Sequence, residues 1–213
     1  MTLYTRWVVA TVGAALAAYL ITLPIYRHAA ALGMGARFTP WHAAGSLVEL
    51  VIYVLVTYWA LAPVFPKLRA SRYAAWTILP TLLVLVLVAM IDAGVQESAA
   101  AAPPTTDPGA EAFAAFAIMA PILLLIAWGL FSLQWLSLSE AAEGYRPWIL
   151  WSLAGLVASF ALGLLVEQVA GGSPLADLST VGRQLGAYLY AVATSAVFGI
   201  VSGRGVAQLR AKV

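Results

Sequence analysis

The chain encodes an all-α, polytopic membrane protein: a compact bundle of six transmembrane helices with no soluble domain. Three features carry that prediction. Hydrophobic residues make up 63% of the 213 residues and charged residues only 9%, against about 25% charged in a typical soluble domain. The apolar residues are gathered into six long stretches, over about 7–26, 43–65, 75–96, 112–138, 148–170 and 185–202. A helix needs about 20 such residues to cross ~30 Å of hydrocarbon. The Lys and Arg residues fall between the stretches, where a bilayer tolerates them. Residues 1–213 thus form a single transmembrane domain.

The first stretch is too long for the 7–15-residue apolar core of a signal peptide. It is followed directly by Arg27 and His28, so it reads as a retained helix. The second opens on His42 and holds Glu49. The third contains Leu82–Val88, a run of large aliphatic side chains that offers no polar face and suits lipid. Between the third and fourth, residues 97–111 carry three prolines and no basic residue, the composition of a solvated, mobile connection. Pro24, Pro80 and Pro121 fall in or near apolar stretches, where a membrane helix tolerates a missing donor if neighbours satisfy the freed carbonyl. Trp7, Trp41, Trp76, Trp148 and Trp151 sit at predicted helix ends, where amphipathic rings anchor at the headgroup level.

Lys and Arg bias sets the orientation. With the N-terminus in the cytoplasm, eight of the basic residues (Arg6, Lys67, Arg69, Arg72, Arg146, Arg204, Arg210 and Lys212) lie inside and three (Arg27, Arg37 and Arg183) outside. The expected setting is a bacterial inner (plasma) membrane with both termini cytoplasmic.

Association between membrane helices relies on close approach at small residues. The sixth stretch has such a residue every fourth position: Ala187, Ala191, Ser195, Gly199 and Gly203. The fifth has Gly155, Ser159 and Gly163. These are the predicted helix-packing faces.

An ionisable group in hydrocarbon costs ~2.5–3.5 kcal/mol on insertion scales and marks a site to be explained. Glu49, Asp92 and Glu167 are the three, all toward the outer ends of their stretches, with His28 and His42 at the same level. In the second stretch His42, Ser46, Glu49, Tyr53 and Thr57 recur at helical spacing on one stripe, which should face the bundle interior. Glu49 is expected to accept a hydrogen bond from Tyr53 one turn on. The candidate interior polar site is therefore Glu49, Tyr53, His42, Ser46, Glu167 and Asp92. The inner half offers only neutral groups, among them Thr57, Ser132, Gln134 and Thr194. A stepwise proton path would want ionisable groups past the midplane.

Several function classes find no support. The absence of cysteine removes disulfides, thiol nucleophiles and iron–sulfur ligation. His28, His42 and Glu49 could share a metal, but their spacing matches no ligand motif. There is no nucleophile elbow, Walker loop or dinucleotide fingerprint. A net charge of +2, with no basic patch interleaved with aromatics, gives no reason to expect nucleic acid. No catalytic residue, metal or cofactor is assigned. The expected partners are the lipid bilayer and other membrane subunits or a second copy.

Three functions compete, and the first is preferred. The first is a non-catalytic accessory or scaffold subunit of a larger membrane complex, joined through the small-residue faces. The second is a small-solute or ion carrier or channel with its polar site around Glu49. The third, more distant, is an intramembrane enzyme acting on lipid, which would need Glu49, Glu167, Asp92 and His42 in one pocket.

Overall fold

A computed structural model describes residues 1–31, 40–101, 108–171 and 180–212. It contains six long helices: α1 (Leu3–Ala31), α2 (Pro40–Leu61), α3 (Ala70–Ala101), α4 (Pro108–Leu138), α5 (Tyr145–Gly171) and α6 (Thr180–Val206). Each includes a segment long and apolar enough to cross a membrane, so the protein is an all-α membrane bundle. Every helix packs on its neighbours in sequence, and α6 closes back on α1. The helices form a ring whose best-packed side is α2–α1–α6–α5, with α3 and α4 completing it through sparser contacts.

The helices outrun the apolar stretches. α3 begins at Ala70, several residues before the hydropathy rises, and runs on through 97–101. α4 begins at Pro108. Much of the predicted connection 97–111 is therefore helical. Alanine is the best helix former, and 99–101 are alanines. Proline at the first helical position gives up only a donor that would be unpaired there anyway. At 32 residues, α3 extends ~48 Å at 1.5 Å per residue, well beyond the hydrocarbon core. The helices continue through Pro24, Pro80 and Pro121.

The core lies toward the end that carries both termini. Trp7, Phe65, Tyr73, Leu138, Trp148 and Val206 are all essentially inaccessible there. Trp7 and Trp148 are thus not headgroup anchors. They meet edge to face with ring centroids 5.8 Å apart. A buried indole needs an acceptor for its N–H. Trp7 donates to Ser202 Oγ at 2.9 Å and Trp148 to the Phe131 carbonyl at 3.2 Å. Trp41 and Trp76 stay exposed, and Trp151 lies beneath the Arg204 guanidinium, 5.4 Å from the ring centroid.

A second polar junction ties α2, α3 and α4 in the same half. Tyr73 donates to Thr57 Oγ1 at 3.0 Å and accepts from Gln134 Nε2 at 3.2 Å. All three side chains are buried. Pairing is what makes such groups tolerable away from water.

The terminus-bearing end is fastened by a device with no hydrophobic signature. Two two-residue strands, β1 (Ala142–Glu143) in the α4–α5 turn and β2 (Arg210–Ala211), pair antiparallel. Lys212 adds a backbone bond to the Ala141 carbonyl at 2.9 Å, and its ammonium donates to the Ser139 carbonyl at 2.5 Å. Gly144 makes the turn at φ +122°, a region nearly closed to other residues. Leu209 is buried against it. Nearby, Arg72 pairs with Glu140.

The other half is looser. On α3, Leu79, Leu83, Val86 and Leu87 are exposed, as expected of a lipid face. On α4 the five consecutive residues 121–125 are all exposed. At 100° per residue these cover the full circumference of the helix, so that turn is only loosely packed.

Candidate functional site

The polar stripe of α2 divides between two neighbours. Its lower member, Thr57, belongs to the Tyr73–Gln134 junction. Its upper members face α1. Glu49 accepts hydrogen bonds on Oε1 from Thr22 at 3.1 Å and from Tyr26 at 3.1 Å. Ser46 hydrogen-bonds the Tyr26 hydroxyl, and the His42 ring lies 5.9 Å from the Tyr26 ring.

The expected Tyr53 bond to Glu49 is replaced by these α1 partners. Helical side chains lean toward the helix N-terminus, so Glu49 reaches back over Gly45 rather than forward to Tyr53. Gly45 leaves the space there: a Cβ on it would lie 2.7 Å from the Tyr26 ring. The small residue one turn before the carboxylate is what admits the tyrosine that binds it.

Thr22 Oγ1 also lies 2.8 Å from the Ala18 carbonyl. A hydroxyl has one proton and two lone pairs. Thr22 therefore shares its one proton between the Ala18 carbonyl and Glu49 Oε1.

Glu49 lies about 13 Å into α2 at 1.5 Å per residue. α2 starts at Pro40, a little before the apolar stretch, so Glu49 stands about two and a half turns into the helix. On its inward side is a cavity of about 370 Å³ among α1, α2, α5 and α6. It extends from Glu49 and Tyr19 toward Thr11 and Phe198 and is open at one side, where the exposed Leu156 forms part of its lining. Its wall is largely apolar, with Tyr53 and the hydroxyl-bearing Ser159, Thr194 and Ser195 among the lining. Ser159 Oγ is bonded to the Gly155 and Thr194 carbonyls at 2.8 and 2.9 Å. Phe198 is stacked on Phe131 of α4, centroids 6.4 Å apart, at the end of the cavity nearer the termini.

The small-residue ladder of α6 serves two purposes. Gly199 and Gly203 are buried against α1, where added Cβ atoms would meet Thr11 and the Tyr4 ring. Ala191 and Ser195, higher on the same face, line the cavity. On α5, Gly155 admits the Phe198 backbone, Ser159 binds α6, and Gly163 lies under the Tyr190 hydroxyl. The side chains of Asp92, Glu167 and Ala187 lie outside the described residues, so the four-residue pocket required by the lipid-enzyme reading is represented only by Glu49 and His42, which meet through Tyr26. His28 lies 4.7 Å from the Trp41 ring. Among the described residues no three His, Asp or Glu side chains gather as a metal site.

Sequence reasoning missed Thr22, Tyr26 and Gly45. Thr22 and Tyr26 are spaced four apart in an otherwise apolar helix, the same signal that singled out the α2 stripe. Searches against protein-family models, curated proteins and solved structures gave no match.

Proposed function

We propose that the protein is a membrane carrier that binds a small solute in the cavity beside Glu49. The observation that carries this reading is the cavity itself: a space of about 370 Å³ between membrane-spanning helices with a carboxylate in its lining. Ligand sites are concave and mostly apolar with a few convergent polar groups, and an intramembrane carboxylate is a functional-site candidate by default. This reading takes both termini as cytoplasmic, which the eight-to-three distribution of Lys and Arg supports.

The reading is tested in proteoliposomes against a panel of small organic solutes. Wild-type protein is expected to speed the entry of at least one. Ala191→Phe, which fills the cavity from α6, should abolish that flux while leaving the folded protein intact by gel filtration. Equal flux through both proteins for every solute would refute the proposal.

A second reading, an accessory subunit of a larger membrane complex, is supported by the α4 turn at 121–125, exposed all round. Purification in mild detergent distinguishes it. A stoichiometric companion protein, lost when Leu124 and Leu125 are replaced by alanine, is its signature.

A further inference from the structure

The chemistry of the cavity also specifies the charge of its ligand. Glu49 is its one ionisable carboxyl among the described lining residues, and that lining contains no Lys, Arg or His. Among the described residues the only ion pair is Arg72–Glu140, at the terminus-bearing end. The nearest basic ring, His42, stands behind Tyr26. Both hydrogen bonds to Glu49 end on Oε1, which leaves Oε2 without a donor among the described residues. A carboxylate in hydrocarbon is stabilised by pairing with an opposite charge, and the described residues that line the cavity supply none. The walls add a second preference. Tyr19 and Tyr53 line the cavity at the Glu49 end, and aromatic rings attract cations.

We infer that the ligand is a small organic monocation, an ammonium group on an apolar body. Its charge sits against Glu49 Oε2 and its body fills the space toward Ala14, Leu156 and Phe198. This inference rests on the carrier reading and names its substrate class. Tyr26 and Thr22 are positioning residues: they hold Oε1 and so turn Oε2 toward the ligand.

The test uses purified protein in nanodiscs, radiolabelled benzyltrimethylammonium, and its uncharged isostere neopentylbenzene, in which carbon replaces nitrogen. Wild-type protein is expected to bind the cation saturably, and Glu49→Gln to weaken that binding at least tenfold. The isostere should need at least a tenfold higher concentration in the membrane to displace the label. The isostere comparison is made on wild-type protein, so it stands even if Glu49→Gln fails to fold. Equal competition by the isostere, or undiminished binding to folded Glu49→Gln, overturns the cation assignment. If that binding is still lost in Ala191→Phe, the carrier reading survives. If wild-type protein binds neither compound, or Ala191→Phe binds the cation as well as wild type does, both fall.

Discussion

Replacing Gly199 with alanine tests how tightly the ring is closed. A Cβ at this position would overlap Thr11 Oγ1 and lie 3.2 Å from Thr11 Cβ and 3.4 Å from Val8 Cα. The first obstacle is a side chain, but rotating Thr11 about χ1 brings its methyl group into similar space. Val8 Cα, in the backbone of α1, is already in ordinary contact, so either Thr11 shifts or α6 moves away. Forcing a methyl group into a packed interface costs about 1–3 kcal/mol. Against that, alanine is favoured over glycine within a helix by about 1 kcal/mol. Gly13, on α1, isolates the second effect, because nothing lies within 4 Å of the point its methyl group would occupy. Gly13→Ala should therefore be neutral or gain up to ~1 kcal/mol. Gly199→Ala should fall below it by about 1–3 kcal/mol. In a Thr11→Ala background the oxygen is gone and the gap should shrink by more than half. Unfolding in sodium dodecyl sulfate, followed by the fluorescence of the eight tryptophans, measures all four proteins. If Gly199→Ala proves as benign as Gly13→Ala, α1 and α6 are not in contact at this level and the ring description fails.

Other outcomes follow from the same geometry. Ser202→Ala strands the buried Trp7 indole N–H and should cost about 1 kcal/mol, between the ~0.6 average for membrane hydrogen bonds and the 1–3 for an orphaned buried donor; an unchanged unfolding midpoint would contradict the assignment. Tyr73→Phe removes the partner of both Thr57 and Gln134, with a similar loss expected, and adding Gln134→Leu to it should recover part of that loss by removing the stranded amide. Gly144→Ala places a side chain at φ +122° and should destabilise by about 1–3 kcal/mol, read as a lower detergent melting temperature. In this cysteine-free chain, Thr106→Cys should react with an impermeant maleimide in intact cells and Ala211→Cys should not; the reverse pattern would invert the orientation.

What could be read from the residues alone followed from cost. Six apolar runs have one economical solution in a bilayer, and a carboxylate in hydrocarbon must be explained, so the helices and Glu49 were both legible. What surrounds Glu49 was not, because the choice of partner depends on which helix lies alongside. Thr22 and Tyr26 become its donors only when α1 packs on α2 and Gly45 clears a path. The tryptophans failed for a different reason. A ring near a helix end can serve the headgroup layer or the core, and only the presence of Ser202 beside Trp7, almost two hundred residues away in sequence, decides it. Tyr73 precedes the apolar stretch that begins at residue 75, so hydropathy gave no sign that α3 had already begun at Ala70. The two-residue strands are too short to leave any periodicity.

The cavity walls come from α1, α2, α5 and α6, with α3 and α4 made in between. Helices enter the bilayer in the order of synthesis, so Glu49 arrives well before Ser159 and Thr194 have been translated. Through that interval it is already held by Thr22 and Tyr26, on the helix that precedes it. The α1–α2 hairpin can thus wait in lipid with its most awkward group satisfied. The seam at Gly199 and Gly203 joins the youngest helix to the oldest, and the cavity comes into being only at that late step of biogenesis. Mutations at Thr22, Tyr26 or Gly45 would then be felt first as losses of nascent protein to membrane quality control, before any defect in the mature molecule could be measured.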